Sequence, residues 1–490
     1  MNNTSGALPP IPNAFNASNF AEYAKSIQNS RIDGREYIRL LQDKVSQGID
    51  SRDFIFLVVG STVYEADIRF EVTEVCKNVI KNFILNRNFN DALIVENWLW
   101  DHYLRRLESE EAYNDLFKKI DSAYKELPID TLEVSSDAYG YLFVTHTANM
   151  LAHTNSLYTM LKANGNAQNQ FEKIGLVVLG EVPQEYADFW SEIGIAVYSC
   201  QNIDSFDQRI MHIESIRAHE NYSSVIWLCT PLWLCFASRV VANLAWWSVK
   251  FHPGISGLNR YIGSLGPHEN FTLYENNWVH FVSPVTINNL NSVTHVDWAL
   301  RRKKFGCFTR SELIDNQAYW QKVCLVLKKH RDISFNYAGK SEVHANWVNQ
   351  DSEFFSRITF LGWLERPESA IAEYSFLLDP FPLGHGNLAR ESFAASVPII
   401  YPIKKGEQSY CTVNKLLDAN PMIKAEIYTT TKNLKTSYAS DTELLEICSR
   451  LLTNSSVNKQ IGNLYRRLLD NQIENNSWAN FKIALHYGAL

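Results

Sequence analysis

The sequence predicts an α/β protein in which an all-helical region precedes two doubly wound, Rossmann-like halves facing a cleft. Three observations carry that prediction. From Tyr139 onwards, short apolar blocks alternate with amphipathic stretches at the period of a parallel sheet with crossover helices. A polar stretch from Asn288 to Val296 interrupts the alternation, which then restarts. At 490 residues the chain is also too long for one ordinary domain, and long enough for each half to bury its own core.

The elements follow in order. Residues 1–18 are rich in Asn, Pro and Ser without the basic start and apolar run of a secretory signal, and read as a disordered leader. Residues 19–135 read as helical, because Tyr37, Leu40, Leu41 and Val45 recur at helical spacing, as do Leu93, Trp98, Leu99, Tyr103 and Leu107. This region is assigned to holding a substrate or a partner chain, with exposed aromatic content expected around Trp98 and Trp100. Residues 136–295 form the first half, with strands at Tyr141–Thr145, Ile174–Leu179, Ala196–Cys200, Ser224–Leu228, Leu244–Val249 and Trp278–Val282. The apolar stretch from Val225 to Val249 is interrupted by Pro231 and Arg239, so it reads as strand, helix, strand, and no membrane span is expected.

Residues 296–490 form the second half, with strands at Phe305–Thr309, Ile333–Tyr337, Ile358–Leu361, Ser375–Leu378, Val397–Tyr401 and Glu426–Tyr428. Helices at Thr442–Leu452 and Lys459–Asn471 close it. Composition narrows the function classes. A net charge of −7 and a pI near 6.0, with no long Lys/Arg cluster, exclude nucleic acid as the main ligand. Eight cysteines without CxxC or other metal-ligand spacing read as reduced thiols of a cytoplasmic protein.

The most informative stretch runs from Asp379 through Pro380-Phe381-Pro382-Leu383-Gly384-His385-Gly386-Asn387 to Glu391 and Val397-Pro398. It reads as a buried strand, a Gly-rich turn, a helix opening near Asn387 and a second apolar strand. That order aims backbone N–H groups at an anion, here a diphosphate. Glu391, one turn into the helix, stands where a ribose hydroxyl pair can be gripped, so the expected ligand is a nucleotide sugar. The competing reading is a turn that only lets a helix pack closely on its sheet.

In this light four stretches resemble one family: His153-Thr154-Asn155-Ser156 within Val144 to Leu157; Phe251-His252-Pro253-Gly254-Ile255-Ser256-Gly257; Phe305-Gly306-Cys307-Phe308-Thr309-Arg310; and Asp379 to Pro398. Their order resembles the GT-B glycosyltransferases, and specifically the O-GlcNAc transferase-like family, including bacterial cytoplasmic members that glucosylate asparagines of adhesins. The resemblance implies an inverting hexosyltransferase that moves a hexose or N-acetylhexosamine from a nucleoside diphosphate, taken as uridine diphosphate, to a polypeptide. It implies no cofactor beyond the nucleotide sugar as co-substrate. No Asp-x-Asp pair stands at a strand end of the first half, so no metal site is expected either.

Residue roles follow from that resemblance. His153, at the start of the helix after the first strand, resembles an active-site histidine, with His146 at the strand end as its competitor. Gly384, His385, Gly386, Asn387 and Leu388 form the phosphate turn, where the family's threonines are replaced by Gly386-Asn387-Leu388. Where the family usually places a lysine, about five residues after Phe308, this chain has Leu313, so Arg310 and then Lys340 are the cationic candidates. His252, Pro253, Gly254 and Ser256 are expected beside the donor sugar and acceptor, and Trp363 beside the base or as a packing aromatic. Three alternatives remain: a glycan or lipid-linked acceptor, a non-catalytic subunit of the same fold, and a sugar-nucleotide epimerase.

Overall fold

The computed structural model describes residues 7–100, 110–127, 133–149, 152–163, 172–228, 230–248, 255, 257–263, 278–281, 298–364, 367–381, 384, 388–403, 413, 417, 421–430, 436–473 and 477–486. Helices come first, as expected: Ala17–Asn29, Gly34–Ser46, Ser51–Ser61, Glu65–Leu85, Phe89–Trp98 and Glu110–Tyr124. Side chains start the first three, where Asn16, Asp33 and Asp50 accept the N–H groups of Asn19, Glu36 and Asp53. Each such cap satisfies one of the four donors a helix start leaves orphaned. The expected exposed aromatic face is corrected here. Trp98 is buried in the core, and the half-buried Trp100 packs against that core, edge-on to Phe117 at 6.4 Å.

The first sheet contains β1 (Tyr141–Thr145), β2 (Ile174–Val178), β3 (Ala196–Ser199), β4 (Ser224–Leu228), β5 (Leu244–Ser248), β6 (Arg260–Gly263) and β7 (Trp278–His280). Their spatial order is β3-β2-β1-β4-β5-β6-β7. The pairs β1/β2, β1/β4, β2/β3 and β4/β5 are parallel, with Tyr141 opposite both Ile174 and Ser224. β1, β4 and β5 are buried along their whole length, which is why they read as continuous apolar runs. β6 was not anticipated. The apolar stretch beginning at Val225 resolves into β4, the helix Leu234–Val240 and β5. Among the described residues no helix is long and apolar enough to cross a membrane.

The second sheet contains β8 (Lys304–Phe308), β9 (Ser334–Ala338), β10 (Ile358–Phe360), β11 (Phe376–Leu378), β12 (Ile399–Pro402) and β13 (Ser437–Tyr438), ordered β10-β9-β8-β11-β12-β13 with parallel neighbours. In both sheets the order reverses after the first strand, the doubly wound pattern. One expected strand is corrected: Glu426–Tyr428 lies in the helix Pro421–Thr430. Proline suits the first helical position, and the helix overrides the strand preference of Ile427, Tyr428 and Thr429. The closing helices are Asp441–Thr453, Ser455–Ile473 and Trp478–His486.

The chain divides into two compact units, the first carrying the helical region and the first sheet, the second carrying the second sheet and the closing helices. In the first unit the helical region is not an appendage. One apolar core runs from Tyr23, Tyr37 and Phe56 through Trp98 and Tyr124 to Trp227, Trp246 and Tyr261. Cys76, Cys200, Cys235, Cys307, Cys324 and Cys448 are free thiols, all but Cys324 buried. Burial raises the pKa of each, so none is primed as a nucleophile.

Candidate functional site

In open α/β sheets, ligands bind beyond the carboxyl ends of the strands, at the point where the strand order reverses. In the second unit that point lies between β8 and β11. Because β10, β9, β8 and β11 are parallel neighbours, the residues that follow them emerge along one edge in the order Trp363, Lys340, Arg310 and Gly384. Arg310 and Lys340 are both exposed there, and Gly384 is half-buried. Trp363 is 59% exposed, which corrects the expectation of a packing aromatic. It follows Gly362, whose φ of +73° turns the chain at the strand end as glycine readily does.

Hydrogen bonds knit this edge into a shelf. The Ser341 N–H donates to Ser311 Oγ at 2.9 Å, and that hydroxyl donates to the Ser341 carbonyl at 2.8 Å, tying the loops after β8 and β9. The Gly339 N–H donates to the Gly362 carbonyl at 3.0 Å, tying the loop after β9 to the one after β10. A side chain at Gly339 would come within 2.6 Å of Ser311 Oγ, so the close approach requires glycine. Leu313 ends the turn Ser311–Leu313 and is half-buried.

The end of β11 is held as firmly. Asn316 caps the helix Gln317–Lys329 through Oδ1, and its Nδ2 donates to the Phe381 carbonyl at 3.3 Å. The Tyr319 hydroxyl donates to the Leu378 carbonyl at 3.2 Å. Asp379 is 1% exposed, beside Cys307, Tyr319 and Tyr438, whose pKa values are raised chiefly by burial and further by the Asp379 charge. Asn316, Tyr319 and Asp379 were not singled out in the sequence as site residues. Only Asp379 had a signal, as the first residue of the Gly-rich stretch.

Beyond the turn, the helix Leu388–Ala394 carries Leu388 at its start and Glu391 in its first turn, both half-buried. Arg390 beside it is buried, and desolvation lowers its pKa only to about 10, so it stays charged at neutral pH. The far end of this helix is gripped from behind. Arg301 donates to the Ser396 carbonyl at 2.8 Å and Arg466 to the Ala394 carbonyl at 3.0 Å. Cations at a helix C-terminus are also favoured by its dipole.

In the first unit, His146 follows β1 at the carboxyl edge. Its Nε2 lies 3.3 Å from Thr230 Oγ1, and its ring packs against Trp227 at 6.0 Å and Trp233 at 5.4 Å. The residue is half-buried, and desolvation among these rings pushes the imidazole down to about 4, so it is neutral at pH 7. His153 is half-buried on the helix Ala152–Ala163, which belongs to the second unit, whereas His146 belongs to the first. His252, Pro253, Gly254 and Ser256, and His385, Gly386 and Asn387 of the phosphate turn, lie outside the described residues. Among the described residues no group of three or more His, Cys, Asp or Glu side chains is placed to hold a metal ion.

Two Rossmann-like units with this edge between β8 and β11 define a GT-B fold. The chain is similar over 95% of its length to 92% of an O-GlcNAc transferase point mutant from Thermobaculum terrenum, with a TM-score of 0.57 and 11% identity. It also aligns with a glycosyltransferase from Rickettsia africae at 12% identity and a TM-score of 0.48, covering 71% of this chain and 98% of that one. WaaG, a glycosyltransferase involved in lipopolysaccharide biosynthesis, aligns at 9% identity and a TM-score of 0.45, covering 71% and 100%. At 11% identity the likeness to the first of these shows the fold alone. No protein-family model matches the chain, and no curated protein matches it in sequence.

Proposed function

We propose that the protein is an inverting glycosyltransferase that moves a hexose or N-acetylhexosamine from a uridine diphosphate sugar to a polypeptide without a metal. One observation carries this reading: Trp363, Lys340, Arg310 and Gly384 share one strand edge, where an aromatic face, two cations and a glycine suit a base and a diphosphate. The GT-B fold supports it, and the polypeptide acceptor rests on the motif resemblance alone.

In such a transfer the acceptor nitrogen or oxygen bonds to the sugar C1 as the bond from C1 to the diphosphate oxygen breaks. Arg310 and Lys340 neutralise charge on the departing diphosphate, and backbone N–H groups of the turn share it. Glu391 grips the ribose. The acceptor proton passes to His153 or His146, and desolvation leaves His146 poorly able to hold a proton. The test is intact-mass detection of a sugar on candidate polypeptides, with a panel of nucleotide sugars and with Arg310→Ala and His153→Ala as variants. Transfer indifferent to both substitutions would reject this site.

A second reading is favoured by Leu313, an apolar residue where the resemblance places a lysine. In it the chain is a non-catalytic GT-B subunit. Calorimetry with uridine diphosphate separates the two when paired with the transfer assay, since binding without turnover selects the second.

A further inference from the structure

Trp233 is a strained residue that the proposed transfer does not use. It is buried, yet its φ of 60° lies in the left-handed region, which is strained for a large side chain and persists only where neighbours hold it. Those neighbours come from the helical region. Glu96, buried on the helix Phe89–Trp98, accepts the Trp233 backbone N–H at 2.9 Å through Oε1. The Leu93 carbonyl on the same helix accepts the Trp233 indole N–H at 3.3 Å. With both donors engaged, the ring is set against Phe206 at 4.5 Å and His146 at 5.4 Å. The same turn supplies Thr230, whose hydroxyl meets His146 Nε2 and also accepts the Leu232 N–H at 3.1 Å.

We propose that Glu96 is a positioning residue for His146: through Trp233, the helical region sets where the imidazole lies and how much water reaches it. The brace stands on contacts within the first unit. Its meaning for transfer rests on the reading of His146 as a candidate at the substrate edge. Glu96 faces Tyr124, Asp121 and Cys235, and Asp121 is paired with Arg239 at 3.7 Å. Burial drives the Glu96 carboxyl up to about 8, so at neutral pH it is protonated and still offers Trp233 an acceptor oxygen. Glutamine reproduces that arrangement, and alanine leaves the Trp233 N–H without its acceptor.

The test is a histidine titration followed by NMR on the full chain labelled with nitrogen-15 histidine. His146 is expected to stay neutral down to about pH 4 in the native protein. Glu96→Gln is expected to track it, and Glu96→Ala to raise the His146 midpoint by about one unit or more as water enters. Trp233→Gly, which tolerates φ 60° and keeps the backbone donor but removes the ring, is expected to raise it too. This second variant decides the matter if the alanine variant does not fold. An unmoved His146 midpoint in whichever of the two folds overturns the brace. The titration needs no sugar nucleotide, so it is decided separately from transfer: sugar transfer with an unmoved midpoint sinks the brace alone.

Discussion

Arg310 illustrates what one side chain is asked to do. It is exposed at the end of β8, beside the loop that carries Lys340, where the proposed reading puts the diphosphate. A charge-assisted hydrogen bond contributes about 1.5–3 kcal/mol, so Arg310→Ala is expected to weaken uridine diphosphate binding by roughly 10- to 100-fold in calorimetry. Lys340→Ala, a point charge without the planar fork, is expected to cost less. Equal and negligible effects would place the phosphates elsewhere. Glu96 makes a different prediction. Its folded pKa of about 8 lies above the ordinary carboxyl value, so the folded state holds a proton that the unfolded state releases between those two values. Stability from this residue is complete at low pH and lost as pH rises towards 8, by an amount on the order of a few kcal/mol. Glu96→Gln is expected to flatten that part of the stability profile in denaturant titrations at pH 5 and pH 8.

At the scale of elements, the shelf depends on how closely its loops approach. Gly339 lies under Ser311 Oγ and the Thr309 carbonyl at 2.6 and 2.9 Å from where a Cβ would stand. Gly339→Ala is expected to push the loops after β8 and β9 apart and weaken nucleotide binding about tenfold, a shift of about 1.4 kcal/mol, while the melting temperature falls by only a few degrees. Gly462 is the contrasting case. It lets the helix Ser455–Ile473 touch the Ser396 carbonyl, where a Cβ would collide with rigid backbone. Gly462→Val is therefore expected to destabilise the second unit by roughly 1–3 kcal/mol, visible as a lowered unfolding midpoint.

Strands buried on both faces were legible because they are unbroken apolar runs: Tyr141–Thr145 and Ser224–Leu228 were located to the residue. β13 escaped because two residues are too short to show a period. The helix Pro421–Thr430 was misread because its second half is rich in strand-forming residues, and only the completed backbone ladder reveals the choice. Trp363 shows the same limit at the site. Its place after β10 was readable, but whether the indole packs or faces solvent depends on what other elements cover it.

For the molecule as a whole, the shared core makes the helical region part of the first Rossmann-like unit. Phe89 and Tyr124 pack on Phe236 at 5.4 and 6.0 Å, and the Phe206 N–H donates to Asn90 Oδ1 at 2.8 Å. Deleting residues 1–127 would uncover that apolar surface and leave Arg239 without Asp121. The truncated chain is expected to be insoluble or to bind a dye for exposed apolar surface, whereas a freely attached acceptor module would be removable without harm. Circular dichroism and solubility of the truncated chain decide between them.

What the sequence determined alone was local and periodic: two alternations of apolar strand and amphipathic helix, a glycine turn after an apolar block, and the charges placed after strand ends. Those features arise from steric and hydrophobic rules acting over a few residues. Only the tertiary structure decided that β9, β8 and β11 lie side by side, so that Lys340, Arg310 and Gly384 share an edge, and that Glu96 meets Trp233. Such pairings join residues far apart in the chain, and it is packing and desolvation in the finished core, rather than neighbouring sequence, that fix them.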